Sequence, residues 1–427
     1  MNKKNVYSTI CFILITVCVW SYLTNIFTRK EDLTIWNDFY SCPSDSIDIL
    51  VMGSSLSAMG VDTYQLGAAT NCEVFNLSVA AQTTPARVYF LKEVLKTQKP
   101  KLVVMETYRY LGDPNSMAID EILYSMSGMK MSWNKLEMML KVPIREQYQE
   151  KRLEIILPLF AGHNRWDSLK KQDFEMPQGT TSASKGSYNV KIEVQPPLSK
   201  ISEEVTGVAD VQKPYLEEII TLCKDNDIEL LFFNTPNPEI DENGYKSYNA
   251  LYEYLEQQNV SYLDCNYDEK MREWIDTTTD FCDYHHTNAV GMYKATRFLA
   301  DYINEHYSYI SKESLNNETY ENFYDYKNEL LLNCTEILPY LMYLYADQYE
   351  CYVDICDEHV DEVARKLLNK LEYKEWETDM DELFDVNESY GMKLVVKNKM
   401  DASIVDVAYV PIYNNQQVIH QDTALAH

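Results

Sequence analysis

One serine, one aspartate and one histidine carry the chemistry this sequence could perform. Ser55 ends the triplet Gly53-Ser54-Ser55, which follows the apolar run 47–52, a pattern that reads as a short buried strand leaving into a tight turn. A serine there stands at the carboxyl end of a strand, where open α/β sheets hold their ligands. Far down the chain, Asp283-Tyr284-His285-His286-Thr287-Asn288 sets an aspartate three residues before a histidine, on a loop that leads into a helix. At that spacing the carboxylate can take one ring nitrogen and fix the tautomer, leaving the other nitrogen to accept a proton from a serine. Each half alone is ordinary, because Gly-Ser turns are common and a lone D-x-x-H is most often a solvated loop. Together, in the order Ser, Asp, His and at the same edge of one sheet, they predict an activated serine, with Ser55, Asp283 and His286 as the catalytic set.

The elements that must position these residues alternate. Strands are predicted at 47–52, 73–77, 101–106, 228–233 and 260–263, with helices at 84–98, 212–226, 244–257 and 289–307. The near-continuous apolar strands belong to a parallel sheet covered on both faces, hence an α/β fold with five parallel strands. Residues 33–46 read as a connector. The alternation breaks over about 115–211, an insertion of the kind that forms a cap or substrate-facing excursion; it holds a Met-rich helical stretch at 117–140 and a polar segment at 178–188. Within it, Ala161-Gly162-His163-Asn164-Arg165-Trp166 reads as helix-end packing, with substrate contact through His163 and Arg165 as the alternative. From Ile310 the composition turns acidic and rich in Asn and Tyr, and a small α/β accessory domain is expected: a helix at 329–347, a strand at 351–355, a helix at 360–371, and strands at 392–397 and 404–412.

Sixty-six acidic against 38 basic residues give a net charge of -28 over 427 residues, which repels phosphate backbones and argues against nucleic acid as a partner. The 34 tyrosines suit half-buried packing first and sugar contacts second. Residues 7–27 carry no charge, follow Lys3 and Lys4, and lack a small-x-small cleavage site, so 1–30 read as a cytoplasmic tip and an uncleaved transmembrane signal anchor. The positive-inside rule then puts 31–309 and 310–427 outside the cytoplasm. Eight of the ten cysteines lie beyond the span. Disulfides are permitted there, with Cys42 and Cys72, Cys265 and Cys282, or Cys334 with Cys351 or Cys356 as alternatives that spacing does not decide. No C-x-x-C occurs, and His163, His285 and His286 do not follow a zinc pattern, so neither metal nor cofactor is expected. The absence of G-x-G-x-x-G or a P-loop after the first strand speaks against nucleotide binding.

Gly53-Ser54-Ser55-Leu56-Ser57 resembles the first block of the SGNH, or GDSL-type, hydrolase superfamily, with Ser54 in place of its usual aspartate and Ser55 at the nucleophile's position. Asp283-Tyr284-His285-His286-Thr287-Asn288-Ala289-Val290-Gly291 is similar to its last block, D-x-x-H-x-N-x-x-G, and selects His286 over His285 as the base. Asn76-Leu77-Ser78-Val79-Ala80 resembles the second block, with Ser78 where the family has a glycine that supplies an oxyanion-hole N–H. The third block, G-x-N-D, is missing: Thr107-Tyr108-Arg109-Tyr110 follows the third strand instead. The resemblance therefore implies a flavodoxin-like three-layer sandwich whose oxyanion hole uses the Ser55 and Ser78 amides, with Arg109 as a substitute donor or substrate contact.

The anchor, the missing block and the insertion look most like membrane-tethered bacterial envelope members of the teichoic-acid D-alanylation and alginate O-acetylation type. That likeness implies a serine O-acyltransferase or esterase acting on an envelope polysaccharide or teichoic acid beside a multipass membrane acyltransferase. The competing expectation is a non-catalytic envelope scaffold or glycan-binding protein on the same fold.

Overall fold

Alternation along the strands decides which side of the sheet each residue serves. On β1 (Ile49–Met52), Leu50 and Met52 join one core with Val88 and Leu91, whereas Ile49 and Val51 join another with Leu66, Leu299 and Ile303. The same division runs through β2 (Val74–Asn76), β3 (Leu102–Glu106), β4 (Glu229–Asn234) and β5 (Ser261–Asp264). All pairings are parallel and the strand order is β2-β1-β3-β4-β5, a doubly wound sheet with helices on both faces. The order reverses between β1 and β3, so the crevice for a ligand opens beyond the carboxyl ends of those two strands.

This computed structural model describes the chain except residues 1–2, 28–32, 81, 111–118, 127, 145, 158, 175–187, 209, 312–316, 356–359, 385–388 and 422–427. The expected strands are all present within a residue or two of their predicted ends. The helix expected at 84–98 is shorter, Thr84–Val94. The expected connector 33–46 contains a helix, Leu33–Ser41, because Trp36 and Phe39 are each 1% exposed and pack edge-on against Phe90 and Phe75. In the insertion, the stretch 117–140 forms two helices, Ile119–Met126 and Trp133–Lys141, the second capped by Ser132. All but Tyr188 of the polar segment 178–188 lies outside the described residues. Beyond it the insertion returns as an extended strap along the histidine loop: the N–H groups of Glu193 and Gln195 donate to the carbonyls of Phe281 and Thr277 (2.8 Å each), and Ala289 N–H donates to Asn189 (2.8 Å).

The C-terminal part forms a second sheet, β6 (Tyr349–Ile355), β7 (Tyr373–Lys374), β8 (Tyr390–Asn398), β9 (Ile404–Pro411) and β10 (Ile419–His420), ordered β10-β9-β8-β6-β7. Two of these, β7 and β10, are only two residues long and carry no sequence period. The helix expected at 329–347 is two, Asn317–Leu332 and Ile337–Tyr343, separated at Asn333-Cys334-Thr335. This sheet's core includes Ala289 and Val290, so it packs directly behind the start of the helix that follows the histidine loop.

The N-terminal helix Lys3–Phe27 has an apolar span, Asn5–Phe27, long enough to cross a membrane and only 6% buried within the protein. Among the described residues the suggested disulfides do not form: Cys42, Cys72, Cys265, Cys282, Cys334 and Cys351 are all thiols. The Cys42 thiol faces the Asp38 carbonyl, Cys72 those of Thr70 and Ile310, and Cys282 those of His286 and Thr287. Cys356 lies outside the described residues.

Candidate active site

The serine turn is fixed from below by a buried ion pair. Ser54 caps the six-residue helix Ser55–Gly60, its Oγ accepting from Leu56 N–H, while its own N–H donates to Glu106 Oε2 at the end of β3. Glu106 pairs with Arg87 at 3.2 Å, both side chains at most 1% exposed, and its other oxygen accepts from Tyr108 N–H (3.1 Å). One carboxylate thus joins the turn after β1 to the turn after β3. Gly53 is required for that approach: a Cβ there would sit 2.2 Å from Ser57 Oγ and 2.5 Å from Glu106. Ser55 itself is half-buried.

The histidine comes from a hairpin-like loop. Phe281 and Thr287 form an antiparallel bridge, and Cys282 N–H donates to the His286 carbonyl (2.9 Å), which turns residues 283–286 outward together. The loop is anchored on both sides. Asn288 caps the next helix, Ala289–His306, and its amide donates back to the Thr279 carbonyl (2.7 Å). Asp280 and Lys294, both fully buried, pair at 2.7 Å, with Asp280 also accepting from Asp276 N–H. Burial alone would discharge Lys294 and does pull its pKa down; the Asp280 carboxylate opposes that. Gly291 lets this helix reach the loop, since a Cβ there would lie 2.4 Å from the Asp280 carbonyl.

These two constructions bring Ser55, His286 and Asp283 together. His286 Nε2 lies 2.7 Å from Ser55 Oγ, and His286 Nδ1 lies 2.8 Å from Asp283 Oδ2. Asp283 Oδ1 accepts from the N–H groups of His285 (3.0 Å) and His286 (2.8 Å). Burial pushes the Asp283 pKa up, but those two amides and the His286 ring outweigh it and hold the carboxyl below its usual range. The neighbouring His285 instead turns its Nδ1 to Glu239 (3.2 Å). Burial, then the nearby His286, lowers its pKa. The arrangement can deprotonate a serine: Nδ1–H is held by the carboxylate, and Nε2 faces the hydroxyl.

The other expected site residues fare differently. Ser78 N–H is not free for an oxyanion, because the Asn76 side chain two residues back accepts it (3.0 Å), and Ser78 Oγ braces Ser57 Oγ (2.7 Å). The Ser55 N–H has no partner among the described residues, which leaves it as the available amide of the expected pair. Arg165 is not in this crevice's hydrogen-bond set. Its guanidinium donates to the Phe27 carbonyl (2.8 Å) and pairs with Asp173 (3.1 Å), since the last carbonyls of a helix lack partners and attract a cation. The side chains of Arg109 and His163 lie outside the described residues.

Asp283, His285 and His286 also bring three candidate metal-ligand atoms within 4.8 Å of one another. The Asp283 carboxylate already accepts three hydrogen bonds, and a cation bound there would compete with the one to His286 Nδ1. Sequence reading missed Arg87, Glu106, Asp280 and Lys294. The signal was present for the first pair: Arg87 sits on the apolar face of its helix with Phe90, Leu91 and Val94, and Glu106 ends an apolar strand. A charge at an apolar period requires a buried partner.

A family model matches residues 190–308, less than half of the chain, and its description names no activity. No curated protein matches. Among solved structures, the chain is similar to a candidate acylhydrolase from Bacteroides fragilis, at 12% identity and a TM-score of 0.31, over 62% of this chain and 92% of that one. A likeness at that level decides neither fold nor activity.

Proposed function

We propose that this protein is a membrane-anchored serine esterase or O-acyltransferase of the SGNH type, working on the outer face of the membrane on an envelope polysaccharide or teichoic acid. The observation that supports it is the continuous contact Ser55–His286–Asp283 at 2.7 and 2.8 Å, beyond the carboxyl end of β1 and beside the point where the strand order reverses. Ser55 Oγ attacks the acyl carbonyl carbon while its proton passes to His286 Nε2. The tetrahedral intermediate expels the donor's alkoxide, which takes that proton from His286, and an acyl-Ser55 ester remains. A sugar hydroxyl, or water, then attacks the ester, gives its proton to His286 and regenerates Ser55. Asp283 holds the ring and stabilises the imidazolium.

The anchor reading places the span at Asn5–Phe27 and leaves the catalytic residues outside, where a multipass membrane acyltransferase could supply the acyl group. The test is labelling of the full chain in detergent with a fluorophosphonate, followed by mass spectrometry of the modified peptide. Modification at Ser55 that vanishes in His286→Ala supports the reading; no modification of folded protein sinks it.

One observation favours the alternative of a non-catalytic scaffold or glycan-binding protein: the Ser78 amide is already engaged, which removes an expected oxyanion donor. Loss of one such donor commonly costs roughly 10²–10³ in turnover. A Ser55→Ala variant that fully restores the envelope phenotype of a deletion strain would decide for the scaffold.

A further inference from the structure

A second candidate site lies where the helix Thr63–Thr70 meets the helix Asn317–Leu332 and the C-terminal sheet. A cavity of about 130 Å³ opens there, lined among others by Gln65, Phe323, Tyr324, Lys327, Tyr345 and Gln348, room for much more than one water. Lys327 is 4% exposed, yet among the described residues its ammonium makes no hydrogen bond and no ion pair. Its nearest stabilising group is the face of Tyr188, 3.8 Å from Nζ to the ring centre. A buried ammonium held by no hydrogen bond is costly, and burial brings its pKa down to about 8 against the opposing pull of the Asp62 carboxylate.

The carboxylates nearby are committed elsewhere. Asp62 caps its helix through the N–H groups of Tyr64 and Gln65 and accepts from Tyr188 O–H. Asp347 is held by Arg297 (2.8 Å) and Tyr293 (2.9 Å). The cavity therefore carries one deep cation, Lys327, and an exposed one at its rim, Lys399, facing two acids that are already satisfied. The ammonium of Lys327, with no hydrogen-bonded acceptor among the described residues, is the group in this cavity that one carboxylate can satisfy, while Asp62 and Asp347 oppose any further negative charge. The lining is aromatic on one side: Tyr64 and Phe323, stacked on one another with ring centres 4.2 Å apart, are joined there by Tyr345 and Tyr324. An aromatic lining suits a ring or short apolar body behind the charge.

We propose that this cavity binds a small monocarboxylate with a ring-like body, its carboxylate on the Lys327 ammonium and its body against the aromatic side chains. The site involves neither Ser55 nor His286 and stands whether or not those residues catalyse.

The experiment is calorimetric titration of the full chain in detergent with benzoate, with benzamide as the uncharged counterpart and with inorganic phosphate, on wild type and Lys327→Met. Benzoate should bind wild type, at least tenfold more tightly than benzamide or phosphate, and at least tenfold more weakly to Lys327→Met. Binding to wild type should also weaken as pH rises through about 8, where the ammonium loses its charge. Thermal unfolding of Lys327→Met checks that the variant is folded, and Lys327→Arg, which keeps the charge, should retain most of the binding if it is not. Equal binding by wild type and a folded Lys327→Met, phosphate binding as tight as benzoate, or no binding by wild type at pH 7 would each overturn the assignment.

Discussion

His286 Nε2 lies 2.7 Å from Ser55 Oγ although 231 residues separate the two in the chain. That distance is held by buried ion pairs on either side, Arg87–Glu106 beneath the serine turn and Lys294–Asp280 beneath the histidine loop. Neither pair faces the crevice. Glu106 holds the N–H of Ser54, immediately before Ser55, and Asp280 anchors the loop three residues before Asp283, so the geometry depends on the sheet as a whole.

Asp283→Asn should leave the fold intact and disable the serine. The amide can still meet His286 Nδ1, but it can present an N–H where the ring needs an acceptor, which selects the wrong tautomer. By analogy with serine triads, fluorophosphonate labelling of Ser55 should slow by roughly 10³–10⁴. Labelling within a factor of ten of wild type would show that Asp283 does not orient the ring.

Glu106→Gln should be strongly destabilising, because it strands the buried Arg87 guanidinium; breaking such a pair costs about 3–5 kcal/mol. The double variant Arg87→Met, Glu106→Met removes both charges and should recover most of that loss in urea titration. It still lacks the acceptor for Ser54 N–H, so Ser55 labelling should stay depressed. If the double variant labels at the wild-type rate, the pair serves stability alone.

The sheet was legible because its strands are short apolar runs, and Ser55, Asp283 and His286 because they lie at strand or loop ends with a known division of labour. The helix over Leu33–Ser41 was hidden: Trp36 and Phe39 are three apart, but only their burial against Phe90 and Phe75 reveals that the segment has a core to join. Ser78 misled for a related reason. Its position in the motif is visible in sequence, whereas the acceptor that takes its N–H, the Asn76 side chain, depends on a turn geometry the pattern does not encode. The strap 188–195 does alternate, with Tyr188, Val190, Ile192 and Val194 set against Asn189, Lys191, Glu193 and Gln195, but its hydrogen bonds go to the loop 277–289 and not to a strand, so the period alone did not place it.

Chelation should leave Ser55 labelling unchanged. Asp283, His285 and His286 are close enough to share a cation, but a cation would take the acceptor that His286 Nδ1 needs. Added zinc should therefore inhibit labelling and a chelator restore it. Activation by zinc and loss of labelling after chelation would show that the three residues form a metal centre.

The stability of the C-terminal sheet should fall as the medium becomes alkaline, through His420. Its Nδ1 faces Asp406 (2.9 Å) and its Nε2 faces the Cys334 carbonyl (2.7 Å), two acceptors that only the doubly protonated ring can satisfy. The Asp406 hydrogen bond raises the His420 pKa, against the opposing effect of burial. A group whose folded pKa lies above its unfolded value of about 6.5 contributes stability that is fully present below that value. The contribution is lost as pH rises through the folded pKa. Hydrogen exchange of Ile404–Pro411 should thus show faster opening at pH 9 than at pH 6, after correction for intrinsic exchange rates. His420→Gln should flatten that dependence, because a neutral side chain cannot titrate. An unchanged pH profile in a folded His420→Gln would mean that another group sets the alkaline limit.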